Sequence, residues 1–286
     1  SQSRHIMLRT RVITAVILLI VLLVVLLYGG VVGWNLFVLA VLVGAFWEWA
    51  RLGLFKPRQA IAYAVLGGAL CVVAERVINL QTQALPLLAL ASVFWVAFAP
   101  WCLRNVSVGV LANKSLYGFA GFVLIAAAGL ALIITKTYGI VFLLSTIAIC
   151  FAADIFAYFF GKALGKRKLA PRISPGKSWE GAIGGAFSVV LLSWLVVVLS
   201  GTYPELKNTW QAMAFERWHP FVFTFWLVVL SAYSVVGDLF ESMLKRRAGL
   251  KDSSQLLPGH GGVLDRIDAQ LPVLPLAILL VSAIVV

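Results

Sequence analysis

The chain has 286 residues, of which 62% are hydrophobic and only 12% are charged. A soluble domain is on average roughly 45–50% apolar and about 25% charged, so this composition excludes a water-soluble enzyme, a disordered chain and a secreted disulfide scaffold. It predicts an all-α, polytopic integral membrane protein. The formal net charge of +12 then indicates basic loops that orient the chain and attract anionic lipids or substrates, rather than a nucleic-acid partner.

Apolar runs predict about nine transmembrane helices, because each span needs about 20 apolar residues. The runs cover residues 12–28, 32–54, 60–74, 85–103, 117–135, 138–160, 179–200, 219–236 and 270–286. Residues 1–6 resemble a cloning remnant and are not used to infer structure or function. The first run has no small-residue cleavage site and leads directly into the second, so it is expected to be an uncleaved helix. We divide the chain into N-terminal transmembrane helices, 7–135, and a C-terminal catalytic region with cytosolic loops, 136–286.

The basic residues are distributed unevenly over the predicted loops. When the loops are assigned alternately to two sides, all but four of the 23 Lys and Arg residues fall on the side of the N-terminus. The four on the other side are Arg76, Lys136, Lys207 and Arg217. Because basic loops stay in the cytosol, the N-terminus is predicted to be cytosolic.

A first polar cluster follows the sixth apolar run on the cytosolic side. Asp154 lies late in that run, and helical spacing puts Tyr158, Gly161 and Lys162 on its face. A carboxylate within the hydrocarbon indicates function by default, although a structural pair between Asp154 and Lys162 is the alternative.

The basic segment that comes next contains Ser174-Pro175-Gly176-Lys177-Ser178-Trp179-Glu180-Gly181. Ser178 is expected to cap the following helix, and Glu180 favours its first turn. A helix N-terminus beside a lysine can hold a phosphate, but the spacing is not that of a P-loop.

A second polar cluster extends from Asp238 to Asp268, also on the cytosolic side. Its first members share one helical face: Asp238, Glu241, Ser242 and Lys245. Basic residues follow, then the glycine-rich segment 258–262, whose backbone can approach an anion closely. Asp238, Asp265 and Asp268 offer the hard oxygen ligands that suit Mg²⁺.

His260 lies among the glycines and has three open roles. It can contact a phosphate, order the loop or act as a general base, and we favour the first two. It lacks the second His or Cys that zinc would require.

Together these residues resemble the phosphatidate cytidylyltransferase (CDP-diacylglycerol synthase) family. The long gapped signature reads Ser242-x2-Lys245-Arg246-x4-Lys251-Asp252-x5-Pro258-x-His260-Gly261-Gly262-x2-Asp265-Arg266-x-Asp268. The upstream Asp154-x3-Tyr158-x2-Gly161-Lys162 and Ser174-Pro175-x-Lys177 occur in the order expected for the family. The departures are small: Ser178 stands where threonine is common, and Ser254 where glycine is often found.

The resemblance implies transfer of CMP from CTP to phosphatidate, which yields CDP-diacylglycerol and pyrophosphate. It implies Mg²⁺ with K+ at a paired site on Asp238 and Asp265, a homodimer, and a multi-pass protein of the bacterial inner membrane with its active site facing the cytosol. The candidate catalytic residues are Asp154, Asp238, Lys245, Arg246, His260, Asp265 and Asp268. The candidate substrate-binding residues are Tyr158, Lys162, Ser174, Lys177, Ser242, Lys251, Asp252, Gly261, Gly262 and Arg266.

Two other classes of protein remain as alternatives. A membrane lipid kinase would need similar phosphate-binding groups but would transfer the γ-phosphoryl group. An anionic-substrate transporter would also place charges in its spans, but it predicts internal repeats and broken helices at the midplane. Here the charges gather on one face, which disfavours transport.

Overall fold

The computed structural model describes residues 2–77 and 83–282, with side chains from residue 12 onward. It is almost entirely helical, as predicted. Within that described part, seven helical segments are long and apolar enough to cross a membrane. They are α2 (Gly30–Leu52), α3 (Pro57–Val77), the segment Leu85–Asn105, α6 (Lys114–Thr137), α7 (Ile140–Leu164), α8 (Trp179–Ser200) and α10 (Pro220–Arg247).

The remaining helices are shorter or less apolar. The helix α1 spans Gln2–Tyr28, with an apolar part at Val12–Tyr28, and α12 spans Gln270–Ser282. Leu85–Asn105 consists of α4 (Leu85–Val93), a π-helical turn (Phe94–Phe98) and α5 (Ala99–Asn105). Two short helices complete the set, α9 (Trp210–Phe215) and α11 (Leu264–Ile267). All nine predicted runs are thus helical where the structure describes them, and their count as nine spans stays a prediction. Residues 283–286 of the last run lie outside the described part.

Local sequence signals account for several of the helix ends. The Asn113 side chain accepts hydrogen bonds from the N–H groups of Ser115 and Leu116, which caps α6. Ser178 caps α8 in the predicted way, because its Oγ accepts from the N–H of Gly181 at 3.2 Å. Pro220 occupies the first turn of α10, where its missing N–H has no cost.

The helix α10 extends 11 residues beyond the end of the predicted apolar run at 236. It continues through the polar cluster, in agreement with the helical face predicted for Asp238, Glu241, Ser242 and Lys245. Its polar side chains pair at i, i+4: Ser242 Oγ donates to Asp238 Oδ1 at 3.3 Å, and Lys245 Nζ lies 2.5 Å from Glu241 Oε2. Such pairs stabilise a helix after its apolar face ends.

A small β-hairpin interrupts the all-helical pattern between α7 and α8. The strands β1 (Lys168–Ala170) and β2 (Ser174–Ser178) pair antiparallel, with Lys168 opposite Ser178. The sequence analysis treats this segment as a basic loop, because three- and five-residue strands are too short for a period-2 pattern to be visible. The hairpin carries Lys177 at the cytosolic end that the sequence predicts for α7 and α8.

Close packing of α7 against α8 fixes where the first cluster lies. A Cβ on Gly185 of α8 would lie 2.5 Å from the carbonyl oxygen of Ala153 on α7. Only glycine therefore permits this backbone approach, which is the usual device of helix pairs in membranes. Asp154, the next residue on α7, is held beside the start of α8.

The helix α12 lies in the middle of the molecule. Ten of its 13 residues are buried, and it packs against α4, α6, α7 and α10. A helix that is apolar all round is expected to be enclosed by protein or lipid. Here the enclosure is by the other helices, and the short segment before α12 places Asp265 and Asp268 against α10.

Candidate active site

The two polar clusters converge on one cavity, as the sequence analysis requires if buried charges are to compensate one another. The cavity has a volume of about 210 Å³. Its polar lining comes from α7, β2, the start of α8, α10 and the segment around α11, and consists of Asp154, Lys177, Ser178, Asp238, Asp265 and Asp268. Residues more than a hundred positions apart thus form one carboxylate-rich site.

Lys177 and Asp238 form the first ion pair of the cavity. Lys177 Nζ lies 2.5 Å from Asp238 Oδ2, and both side chains are about one-quarter exposed. The pair joins the hairpin to α10 and therefore links the two sequence clusters directly. The other oxygen of Asp238 accepts the bond from Ser242.

Lys245 and Asp265 form the second ion pair. Lys245 Nζ donates to Asp265 Oδ1 at 2.6 Å and also pairs with Glu241, so one ammonium group serves two carboxylates. Burial alone would raise the pKa of Asp265. The hydrogen bonds from Lys245 and from the N–H groups of Gly262 and Ser253 outweigh it and lower this pKa to about 2.

Asp154 and Asp268 form the acidic wall of the cavity. Ser234 Oγ donates to Asp154 Oδ1 at 3.4 Å, and the N–H of Ala269 donates to Asp268 Oδ1 at 2.7 Å. Burial, followed by the nearby charge of Asp238, raises the pKa of Asp268 to about 7. Asp154, Asp238 and Asp268 therefore share the single positive charge of Lys177. This excess of negative charge favours binding of an additional cation.

The glycine-rich segment forms a tight turn beside the cavity. The N–H of Leu257 donates to the carbonyl of Gly261 at 2.9 Å, and the N–H of His260 donates back to Leu257 at 2.8 Å. The N–H of Gly262 donates to Asp265 Oδ2 at 2.8 Å. The glycine-rich sequence predicts that these backbone groups approach an anion. In the structure the N–H of Gly262 approaches the carboxylate of Asp265.

A second, larger cavity lies on the outer side of this turn. It has a volume of about 870 Å³ and is lined by Lys251, Asp252, Ser254, Gln255, Leu257, Pro258, Gly259, His260, Gly261 and Arg266. Arg266 donates to the carbonyl of His260 at 2.8 Å, so it orders the turn. His260 Nδ1 is buried and has no hydrogen-bond partner among the described residues.

Several predicted site residues lie outside the lining of the carboxylate cavity. Tyr158 is 62% exposed, and Lys162 Nζ lies 6.0 Å from the centre of its ring. Asp154 pairs with neither, so the alternative of an Asp154–Lys162 pair is wrong. Arg246 is exposed and donates to the carbonyl of Ile173 at 3.4 Å, where it ties α10 to the hairpin turn. Ser174, at the start of β2, is partly buried.

Glu48 is a site-region residue that sequence reasoning missed. It lies in α2, it is fully buried, and it accepts four hydrogen bonds from residues 253–264. The available signal was a single acid inside an apolar run, which indicates function by default. Nothing in the sequence names its partner, so only the fold could connect it with the second cluster.

The carboxylates suit a divalent ion that shares its ligands with a substrate. Among the residues that the structure describes, no group of three or more His, Cys, Asp or Glu side chains could hold a metal by itself. Mg²⁺ commonly uses one or two carboxylates and completes its octahedron with water and phosphate oxygens. Asp238 and Asp265 fit that pattern, since each lines the cavity and forms an ion pair with a lysine.

These features define a polytopic membrane protein with an acid- and lysine-lined site for anionic substrates. The cytidylyltransferase family model matches residues 9–284, nearly the whole chain. The chain therefore belongs to the cytidylyltransferase family. Enzymes that transfer nucleotidyl groups generally use a divalent metal, in agreement with the donor set of the cavity.

Curated relatives are similar over almost their full length. A phosphatidate cytidylyltransferase from Pseudomonas aeruginosa is 37% identical over 273 residues, which are 94% of this chain and 95% of that protein. One from Brucella abortus is 36% identical over 266 residues, 91% and 88% of the two chains. One from Thermotoga maritima is 32% identical over 271 residues, 94% of each. The resemblance stated from the motifs is confirmed.

Proposed function

We propose that this protein transfers CMP from CTP to phosphatidate, releasing pyrophosphate and forming CDP-diacylglycerol. The observation that carries the proposal is the carboxylate cavity itself. Lys177 lines it and pairs with Asp238, and Lys245, from the other cluster, pairs with the lining residue Asp265. Family membership and the relatives' common name support the same reaction.

The chemistry asks the protein mainly to position and neutralise phosphates. A phosphatidate oxygen attacks the α-phosphorus of CTP, a new P–O bond forms, and the bond to the β-phosphate breaks as pyrophosphate leaves. A phosphate monoester is already ionised near neutral pH, so no strong general base is needed. Lys177 and Lys245 can exchange their carboxylate partners for phosphate oxygens, which would hold the reacting groups in line.

Asp238 and Asp265 are the proposed ligands of Mg²⁺, with K+ beside it as the resemblance implies. When bound, the divalent ion would polarise the α-phosphoryl group and stabilise the charge on the leaving pyrophosphate. The larger cavity beside the glycine turn is the proposed place for the nucleotide, because Lys251 and His260 line it.

The proposed setting is the bacterial inner membrane, with the site open to the cytosol. Nearly all basic residues fall on the side of the chain that carries both clusters. That arrangement lets water-soluble CTP and a lipid phosphate at the interface reach the same cavity. A homodimer is proposed only from the resemblance.

The decisive experiment follows the phosphorus atoms. Purified protein is incubated with phosphatidate, Mg²⁺ and CTP labelled at either the α- or the γ-position, and label in extracted lipid is counted. We expect α-label in lipid and γ-label in pyrophosphate. The reverse pattern would identify a lipid kinase. Repeating the incubation with each of the four nucleoside triphosphates tests the choice of CTP, and Asp238→Asn provides the inactive control.

A further inference from the structure

Glu48 is a buried acid in the second helix of a chain whose other site residues all come from the C-terminal half. Its side chain is 0% exposed, and its neighbours in α2 are the apolar Trp47 and Trp49. A carboxylate in such surroundings is costly unless hydrogen bonds compensate it. The groups that donate hydrogen bonds to Glu48 therefore indicate its role.

All four partners of Glu48 belong to the segment that carries the glycine turn. Oε1 accepts from Ser254 Oγ at 2.5 Å and from the N–H of Val263 at 2.9 Å. Oε2 accepts from Ser253 Oγ at 2.9 Å and from the N–H of Leu264 at 2.7 Å. Each oxygen thus receives two donors, and the carboxylate holds both ends of the segment 253–264 at once.

A shared hydroxyl connects Glu48 to the proposed metal ligand. Ser253 Oγ lies 2.9 Å from Glu48 Oε2 and also 2.9 Å from Asp265 Oδ2. The N–H groups of Ser253 and Gly262 donate to the same oxygen of Asp265. Of these three donors, Glu48 contacts the Ser253 hydroxyl directly, and it bonds Ser254 and Val263, the residues that follow the other two donor groups.

Gly262 makes this arrangement possible. A Cβ at Gly262 would lie 2.0 Å from Ser253 Oγ and 2.4 Å from Glu48 Oε1. Any other residue would displace the Ser253 hydroxyl or the Glu48 carboxylate from this position. The glycine of the signature thus serves the approach of Glu48 and not the conformation of the turn alone.

We propose that Glu48 is a positioning residue for the reaction, which acts through Ser253 to fix the carboxylate of Asp265 in the orientation that binds the metal and CTP. The inference rests on the proposed role of Asp265. Groups that orient metal ligands typically change metal affinity or activity by 10- to 100-fold when they are replaced. The competing explanation is that Glu48 only fastens α2 to the loop and stabilises the fold.

The test uses Glu48→Gln in the full-length protein and the matched control Glu75→Gln. Glu75 is a glutamate of α3 that likewise accepts a hydrogen bond from another element, in its case from Asn35 of α2. Asn35 is 13 residues before Glu48 in α2, about 20 Å along the helix axis. Glutamine keeps the size of Glu48 but presents an NH2 group to one of the backbone N–H donors, so one bond is lost and two donors face each other.

Two readouts separate positioning from stability. The first is protein-dependent Mn²⁺ binding by electron paramagnetic resonance, with CTP present and phosphatidate absent so that no turnover occurs. The second is the kcat and the Mg²⁺ concentration for half-maximal rate. For Glu48→Gln we expect Mn²⁺ affinity and kcat each to fall by about tenfold or more, with the KM for phosphatidate within about twofold of wild type. Glu75→Gln should match wild type in Mn²⁺ affinity, in kcat and in the KM for phosphatidate. A Glu48→Gln protein with a lower melting temperature but normal Mn²⁺ affinity would overturn the proposal.

Ser253→Ala keeps the test decisive if Glu48→Gln does not fold. It removes the shared hydroxyl but leaves Glu48 bonded to Val263, Leu264 and Ser254. Its Mn²⁺ affinity should also fall. Where Glu48→Gln does fold, the double variant should lose no more than the worse single variant, because both changes interrupt one path. Normal Mn²⁺ affinity in Ser253→Ala, or additive losses in the double variant, would overturn the proposal.

Asp265→Asn is measured in parallel to separate the two hypotheses. If Asp265→Asn retains Mn²⁺ binding, the proposed metal site itself is wrong. If Asp265→Asn loses it while Glu48→Gln and Ser253→Ala do not, the metal site stands and only the role of Glu48 is refuted.

Discussion

At the scale of single residues, the site consists of acids and lysines that neutralise one another. Lys177 balances Asp238, and Lys245 balances Asp265 and Glu241. Each pair lies within one cavity or beside it, so removing one partner leaves a partly buried charge uncompensated. Loss of a partner in such a pair is strongly unfavourable, whereas the intact pair contributes little net stability.

Replacing Asp238 or Asp265 by asparagine should reduce CMP transfer by about 100-fold or more. The change keeps the size of the side chain and removes the charge, and one electrostatic contact of this kind is typically worth about 3–4 kcal/mol in the transition state. Initial rates with α-labelled CTP measure the loss, and a detergent-stable monodisperse peak checks that the protein is folded. Raising Mg²⁺ should rescue little, since the lost carboxylate also orients the ion.

Asp252→Asn is the comparison for these two variants. Asp252 is exposed and lines the larger cavity beside the glycine turn rather than the carboxylate cavity. Its replacement should have a smaller effect. Near-normal transfer in Asp238→Asn or Asp265→Asn at limiting Mg²⁺ would contradict the metal assignment and make Asp268 the next candidate.

The site residues that the sequence predicts differ from Glu48, which it does not predict, in the kind of partner that they have. The convergence of Asp154 and Lys177 with Asp238 and Asp265 was predictable, because isolated charges near hydrocarbon are costly and charges in one cavity compensate one another. Glu48 was not predictable in the same way, since two of its four partners are backbone N–H groups, which every residue except proline carries, and the other two are the uncharged hydroxyls of Ser253 and Ser254. A sequence pattern does not reveal such partners.

At the scale of elements, the contact between α7 and α8 positions half of the site. The approach at Gly185 holds Asp154 next to the hairpin that carries Lys177. Helix positions were predictable from apolar runs, but this distance depends on one missing side chain. The hairpin was missed because very short strands leave no hydrophobic periodicity.

Gly185→Val should separate α7 from α8 and lower activity by about tenfold or more, together with thermal stability. Forcing a larger side chain into a tight contact typically costs about 1–3 kcal/mol, and small displacements of reacting groups lower rates strongly. Transfer rate and melting temperature in detergent measure the two effects.

Gly33→Val in α2 is the matched control, because a Cβ at Gly33 would meet no atom within 4 Å. It should retain wild-type activity. A Gly185→Val enzyme that is as active and as stable as Gly33→Val would show that the close contact does not position the site.

At the scale of the whole molecule, the arrangement in the membrane is the main remaining prediction. Within the described part, the structure gives seven helical segments that are long and apolar enough to cross, with the apolar part of α1 (Val12–Tyr28) and α12 as shorter stretches. Composition was sufficient to predict an all-helical membrane protein. The enclosure of α12 by other helices was not predictable, because an apolar run looks the same whether protein or lipid covers it.

Single cysteines should reveal the orientation. In a background with Cys71, Cys102 and Cys150 replaced, a cysteine at the exposed position Lys166 should react with an impermeant maleimide only from the cytosolic side. A cysteine at the exposed Lys207 should react only from the opposite side. Whole cells and inverted vesicles measure the two faces. Labelling of both positions from one side would contradict the predicted topology.

The contacts of Glu48 also form late during synthesis of the chain. Its hydrogen-bond donors lie 205 to 216 residues further along the chain. At about 5–20 residues per second, a ribosome delivers them about 10 to 40 seconds after the glutamate itself. During that interval the second helix carries an acid without its final partners. A polypeptide that ends before residue 253 never acquires them. An incomplete chain therefore differs chemically from a finished one at Glu48, whose carboxylate lacks the four donors that the finished chain provides.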